Sequence, residues 1–333
     1  MRVLVTGAAG FVAPYLAREL MARGHDVVVT DVAARPVGAT ASPVAVRPVG
    51  AVLQTASSQG AGREAPPFMP CDLCDAEATR ALVAHVRPDA CVHLAGVSFV
   101  PDAAQNPGRL YAINVGGTIN LLDALVAAAP GARFLFISSA QTYGCTFNPE
   151  DAPIDEDATL YPLSPYAISK VASEAAIRAY GLYHGLDIRI ARPSNHTGPG
   201  QSPKFVAPSF VIQALEILRG ERRAYVAGNL DSGRDFSDVR DVVAAYADIL
   251  ERGASGATYN VCGGPRVTIR ALLDRVMALT GARAPVEMDP ALFRPTDYTR
   301  LLDTSRLRAL GWAPRFPLDT TLTDMLKEQN TAK

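Results

Sequence analysis

The chain has 333 residues, 48% of them hydrophobic, and a formal charge of -1 at pH 7. That length supports a substantial buried core in one large domain or two smaller ones, and the balanced charge excludes a basic field that would gather nucleic acid or an anionic membrane. No apolar run approaches ~18 residues and the Met1–Val5 start lacks the regions of a signal peptide, so a soluble, cytoplasmic protein is expected.

Short β-rich runs apolar on both faces occur at Val3 to Thr6, Val27 to Asp31, Cys91 to Ala95, Phe134 to Ser138 and Ile188 to Ala191. Such runs suit strands of a parallel sheet covered by helices. Between them lie helical patterns: Leu16, Leu20 and Met21 with Gly24 as a stop, Ala76 to Val86 closed by Pro88, and Leu121, Leu122 and Leu125 on one face. The alternation predicts an α/β fold with a doubly wound (Rossmann) sheet. Residues 34–67, rich in Ala, Pro, Val, Gly and Ser, show no period and read as an irregular insertion expected to be disordered, with a small hairpin (Ala45-Val46 against Val52-Leu53), a lid or a subunit contact as alternatives. Further helices are expected at Pro208 to Leu218, Val239 to Leu250 and Thr268 to Leu279, with a strand at Thr258 to Val261. The predicted dinucleotide domain takes 1–192 plus about 235–262 and 299–312; a smaller α+β domain takes 193–234 plus 263–298 and 313–330.

Thr6-Gly7-Ala8-Ala9-Gly10-Phe11-Val12-Ala13 stands where the first strand hands over to a helix. There Gly7 permits a tight bend and Gly10 a close backbone approach to a pyrophosphate resting on helix N-terminal amides; Ala13 takes the third glycine position. Asp31 ends the second strand, placed to bind the adenosine ribose hydroxyls. Its charge opposes a 2′-phosphate, so NAD is the expected cofactor, with NADP as the alternative because Arg35 lies nearby.

Cys71 and Cys74 form the one Cys-x-x-Cys among five cysteines, with no second pair at metal-site spacing, so no metal is expected and small buried side chains are the preferred reading. In Tyr166-Ala167-Ile168-Ser169-Lys170 the phenol and ammonium share one helical face. A free tyrosine titrates near pH ~10, and the neighbouring Lys170 cation together with a positively charged nicotinamide is expected to draw it toward neutrality for acid/base work. Ser139, at a strand end, is the candidate partner that holds the reacting oxygen.

The order Thr6-Gly7-x-x-Gly10, Cys71-Asp72-Leu73, His93-Leu94-Ala95-Gly96, Asn114-Val115-x-Gly117-Thr118, Ser139 and Tyr166-x-x-x-Lys170 resembles the extended short-chain dehydrogenases/reductases over nearly the whole chain. The resemblance implies that Asp72 and Leu73 flank the adenine and that Leu94, Ala95, Gly96 and Asn114 line the cofactor channel. It implies that Tyr166 is the acid/base and that Lys170 supports it while binding the nicotinamide ribose. Arg192 to Gln201, Gly228 to Asp241 and Arg294 to Asp297 resemble those of members that use GDP-hexoses. By that resemblance Asn195 and Arg234 hold the diphosphate with Arg294 assisting, Asp297 takes the ribose hydroxyls, and Lys204 joins the substrate side. Guanidinium groups suit such phosphates through forked, charge-assisted hydrogen bonds. Arg240 with Asp241 reads instead as a surface ion pair, and His196 as structural.

Dehydratase members carry a glutamate two residues before the Tyr-Gly pair; here Gln141 precedes Tyr143-Gly144, and an amide does not exchange a proton at neutral pH. The expected activity is therefore NAD(P)H-dependent reduction of a GDP-4-keto-6-deoxy-hexose at C4. The alternatives, in order, are 4-epimerase, 4,6-dehydratase and a cofactor-binding sensor without catalysis. The resemblance also implies a homodimer.

Overall fold

The computed structural model describes residues 1–32, 65–98, 106–146, 152–293 and 301–331. Most of the 34–67 insertion, with its candidate hairpin and Arg35, lies outside them. The chain forms two compact units: 1–142 with 162–192 and 246–259, and 143–161 with 193–245 and 260–333. Its main helices are α1 Ala13–Ala22, α2 Ala76–Val86, α3 Gly117–Ala128, α4 Pro165–His184, α5 Val206–Leu218, α6 Val239–Arg252, α7 Ile269–Thr280 and α8 Leu318–Thr331.

The first unit is built on β1 Arg2–Thr6, β2 Asp26–Asp31, β3 Phe68–Pro70, β4 Ala90–His93, β5 Arg133–Ile137 and β6 Asp187–Pro193, and Thr258–Val261 is β7. The sheet runs in the order β7-β6-β5-β4-β1-β2-β3. Strands β1 to β6 pair parallel, with β1 between β2 and β4. The crevice beyond the strand ends at that reversal is the ligand site of doubly wound sheets. Val3, Leu4 and Val5 are fully buried, which explains the unbroken apolar runs. Leu82, Val83, Leu121, Leu122, Leu125 and Ile177 cover the sheet from α2, α3 and α4. Strand β3 escaped sequence reading because it is three residues long and ends in proline.

Helix caps follow the sequence. The Asp75 side chain accepts the Glu77 and Ala78 amides, both at 3.0 Å, to start α2. Ser164 accepts the Ala167 amide at 3.2 Å and Pro165 opens α4, which stops at the left-handed Gly185. Before α3, Pro107–Tyr111 is helical and Ala112–Gly116 widens into a π turn. By length and composition Pro107–Ala128 is apolar enough to cross a membrane, contrary to the expectation of no such run. Its small residues lower the polarity, and its Leu121, Leu122 and Leu125 face belongs to the core.

His93, at the end of β4, ties this core together. Thr6 Oγ1 lies 2.7 Å from its Nδ1 and Thr118 Oγ1 lies 3.0 Å from its Nε2. Thr118 donates its own proton to the Asn114 carbonyl at 2.5 Å, so it accepts from Nε2–H, and Nδ1 accepts from Thr6. The assignment joins β1, β4 and the π turn through one neutral imidazole.

The second unit gathers Phe210, Val211, Tyr225, Leu272, Val276, Leu322 and Met325 between α5, α7 and α8. Its boundary differs from the expected one: 235–245, 260–262 and 301–312 belong here, as does 143–161. Asn260 is the reason. Its amide side chain donates to the Ile154 and Asp303 carbonyls at 2.9 and 3.0 Å and accepts from Tyr143 at 2.7 Å. Its backbone amide donates to Glu156 at 2.8 Å, and Ile154 bridges to Leu302.

Replacing the buried Leu121 by alanine is expected to cost about 2–5 kcal/mol in chemical denaturation. Burial, and next the charge of Lys170, push His93 down to about 3. A folded value below the unfolded one stabilises above the unfolded pKa and loses that stability as pH falls through the folded one. The stability difference between wild type and His93→Gln is therefore expected to shrink from about pH 6.5 downward, measured by urea unfolding; a difference constant with pH would remove His93 as its source.

Candidate active site

The glycine-rich turn has the form a dinucleotide requires. Gly7 has φ +81°, and a Cβ there would stand 2.7 Å from the Ala95 amide nitrogen, so only glycine lets β1 pass the β4 end this closely. The Gly10 amide closes the turn on the Gly7 carbonyl at 2.9 Å. Val12 at the N-cap of α1 provides no side-chain hydrogen bond and Pro14 occupies the first turn, so the helix opens without a side-chain cap where an anion would sit. Asp31 stands at the end of β2, where its carboxylate takes the Ala9 amide at 2.9 Å and the Val32 amide at 2.7 Å. Each oxygen keeps a further lone pair. Ala9, Phe11 and Val12 thus border a turn whose backbone, bend and carboxylate fit a dinucleotide.

Leu94, Ala95 and Gly96 follow β4 on the same edge. Asn114 fixes the loop end: its side chain accepts the Val97 amide at 2.8 Å and donates to the Val97 carbonyl at 3.2 Å and to Ser169 at 3.0 Å. A Cβ on Gly96 would lie 2.9 Å from Asn114 Oδ1. Asn114 therefore clamps the channel wall to the helix carrying Tyr166 and Lys170, and the π turn aims it there. Asp72 holds the Cys74 amide at 2.9 Å, and the Leu73 carbonyl accepts from Asn120 at 2.8 Å. Cys71 contacts Thr79 and Cys74 the Ala112 carbonyl, and both thiols are pushed up by burial. Among the described residues no three His, Cys, Asp or Glu side chains cluster as for a metal.

Ser139, Tyr166 and Lys170 meet where α4 passes the end of β5, all three buried. Ser139 Oγ accepts the Gln141 amide at 3.1 Å, which leaves its own proton to donate. Gln141 is exposed. The Lys170 ammonium donates to the Ile137 carbonyl at 2.8 Å and lies 4.7 Å from the centre of the Phe136 ring. Burial pulls Lys170 down to about 8. It pushes Tyr166 up to about 12, with the Ser139 hydrogen bond partly offsetting. The sequence expectation of a lowered value joins Lys170 to a positively charged nicotinamide, and the protein alone supplies only the first. In the protein alone desolvation outweighs the lysine, because the ammonium is aimed at Ile137 and stands 5.9 Å from the tyrosine ring centre. The phenol therefore carries its proton at neutral pH.

The other proposed substrate residues belong to the second unit. Asn195 is exposed, and its carbonyl accepts the Ser237 amide at 3.2 Å. Arg234 lies on a two-residue strand paired antiparallel with Val267–Thr268, and Lys204 is exposed ahead of α5. Arg294 and Asp297 lie outside the described residues. His196 faces the Ser194 carbonyl at 3.2 Å and burial pulls it down, as a structural role requires. Arg240 does not pair with Asp241: adjacent helical residues diverge, and it takes Asp238 at 2.7 Å and Asp324 at 2.9 Å. Sequence reasoning missed Ser138, Glu174 and Arg192; the signal was Glu174 one turn beyond Lys170.

The family model of GDP-mannose 4,6 dehydratase matches residues 4–325. The chain is 37% identical over 244 residues to GDP-6-deoxy-D-mannose reductase of Pseudomonas aeruginosa, covering 72% of this chain and 80% of that one. The structure of RMD from Pseudomonas aeruginosa complexed with NADPH superposes with a TM-score of 0.81 at 31% identity, covering 100% of this chain and 99% of that one. The Thermus thermophilus UDP-glucose 4-epimerase complex with NAD does so with a TM-score of 0.81 at 28% identity, covering 100% of both chains. With its glycine-rich turn, strand-end serine and Tyr-x-x-x-Lys helix, this chain belongs to the GDP-mannose 4,6 dehydratase family of extended short-chain dehydrogenases/reductases.

Proposed function

We propose that this enzyme is an NAD(P)H-dependent reductase of a nucleotide-linked 4-keto-6-deoxy-hexose, with a GDP-sugar as substrate. The observation that carries the reading is the buried meeting of Ser139, Tyr166 and Lys170 at the end of β5, with the amide of Gln141 where a dehydratase needs a carboxylate. The 37% identity to a GDP-6-deoxy-D-mannose reductase supports the substrate class.

The turn around Gly7 and Gly10, with Asp31 and Asn114 beside it, would hold the nicotinamide cofactor, which when bound supplies a hydride to the C4 carbonyl carbon. The Ser139 hydroxyl, one lone pair of which takes the Gln141 amide, donates to the carbonyl oxygen and fixes it. Tyr166 gives that oxygen a proton as negative charge develops on it, so hydride and proton together convert the ketone to an alcohol. Lys170 stabilises the phenolate left on Tyr166 until solvent restores its proton. Both groups must begin protonated, so the reductive rate is expected to be sustained at neutral pH and to fall on the alkaline side as Lys170 discharges.

On the substrate side we assign Asn195 and Arg234, assisted by Arg294, to the diphosphate, Asp297 to the ribose, and Lys204 to the substrate at large. Asp31 favours NAD and NADP is the alternative, NADPH being bound by the RMD neighbour. We also propose a homodimer, supported by Ile168, Leu182 and Tyr183 exposed on α4, and a cytoplasmic setting, supported by five free cysteines. Sedimentation is expected to give twice the 35.3 kDa chain, reduced to one by Tyr183→Glu.

The decisive assay incubates the protein with GDP-4-keto-6-deoxy-mannose and NADH or NADPH. Loss of reduced cofactor with a product gain of two mass units is expected, and Tyr166→Phe should lower kcat about 10²–10⁴-fold while still binding cofactor. Interconversion of a UDP- or GDP-hexose without net cofactor oxidation would move the assignment to 4-epimerase.

A further inference from the structure

Three consecutive residues at the end of β5 engage one face of α4 at successive turns. The Ser139 hydroxyl meets Tyr166, the Ile137 carbonyl takes Lys170 at 2.8 Å, and the Ser138 hydroxyl donates to Glu174 at 2.5 Å. Tyr166, Lys170 and Glu174 follow at i, i+4 and i+8 on the helix, so this alignment requires all three contacts together. Glu174 is 2% exposed, and its partner Arg192 on β6 is 3% exposed. Arg192 grips the carboxylate as a fork, Nε at 3.0 Å and Nη2 at 2.6 Å. A buried ion pair is an expensive way to hold a fold together, since well-packed apolar side chains serve as well or better. Its place here calls for a role in the reaction.

We propose that Glu174 is a positioning residue for the reduction: anchored by Arg192 and Ser138, its carboxylate holds Lys170 in its charged form beside Tyr166 and keeps the Ile137–Ser139 strand end in register with α4. This rests on the reading of Tyr166 and Lys170 as the proton-transfer pair. Lys170 has few other charges around it. On α4 it faces Tyr166 and Glu174, from β4 the neutral His93, and from β5 only the Ile137 carbonyl and the Phe136 ring. Tyr246 on α6 faces Tyr166 as an uncharged phenol, and Arg192 lies beyond Glu174 on β6. Burial works to discharge the ammonium, and Glu174 is the one group opposing it among those that shift Lys170.

The test reads the charge on Lys170 directly and without substrate. The chain holds four lysines, so ¹³Cε-lysine NMR of the protein without cofactor resolves Lys170, assigned by its loss in Lys170→Arg. Wild-type Lys170 is expected to titrate well below a free lysine, and in Glu174→Gln lower still by roughly one unit or more. The alkaline fall in kcat should move down by the same amount, with the KM for the cofactor little changed. An unmoved Lys170 titration in folded Glu174→Gln overturns the proposal. Loss of one partner of a buried pair is strongly destabilising. Where Glu174→Gln does not fold, the paired Glu174→Gln/Arg192→Gln variant decides: the proposal requires a downward shift, smaller because the opposing arginine is also gone, and an unmoved titration overturns it. Because the titration needs no sugar, a wild-type enzyme inactive with every sugar nucleotide would fail the reductase reading alone.

Discussion

A lysine ammonium brought almost entirely out of water must be compensated nearby, or it loses its proton. At Lys170 the compensation consists of one backbone carbonyl, one aromatic face and one carboxylate a helical turn away. Each comes from an element whose position is set by the parallel sheet: Ile137 and Phe136 by β5, Glu174 by α4, and the arginine behind it by β6. The site thus depends on how α4 lies across the strand ends, and Ser164, Pro165 and Gly185 fix where that helix starts and stops. Shifting the helix by one residue would turn Tyr166 and Lys170 away from Ser139 together, since each step along a helix rotates a side chain by about 100°.

The same burial that threatens the lysine helps the tyrosine. A phenol pushed up to about 12 is a reservoir of one proton at neutral pH, suited to a developing alkoxide. Reduction, epimerisation and dehydration all begin from this apparatus, which accounts for reductase and epimerase relatives on one fold. What separates dehydration from the others is a second proton carrier, and Gln141 does not provide one. Its backbone serves instead, fixing Ser139 through a hydrogen bond that any residue but proline makes at that position.

Much of this was legible before any coordinates. The apolar runs located strands β1, β2, β4, β5 and β6 to within a residue or two, because a sheet covered on both faces leaves no alternation to misread. Gly7, Asp31, Ser139, Tyr166 and Lys170 stood out because their chemistry repeats at fixed distances along the chain. Other features were hidden for physical reasons. The sign of the shift at Tyr166 depends on where one ammonium points, which spacing on a helix does not reveal. Ser138 and Glu174 are thirty-six residues apart and meet only once β5 and α4 are packed. Arg240 found Asp238 and Asp324 because its neighbour in sequence is not its neighbour in space. Segments 143–161 and 301–312 escaped the expected boundary because they are joined through Asn260, whose hydrogen bonds to Tyr143, Ile154, Glu156 and Asp303 form only in the folded chain.

That discontinuity bears on how the protein is made. Strands β1 to β6 and helices α1 to α4 are complete once residue 193 has left the ribosome, so most of the sheet can condense during synthesis, with the end of α6 and β7 added later. The second unit has no such option. Leu322 and Met325 of α8 are buried among residues of α5 and α7, so that core stays open until residue 325 has been made. The nascent chain therefore passes through a long interval in which half of it is folded and the rest exposes its future interior. A chaperone, or a slow stretch of translation, would exert its greatest effect on yield in that interval.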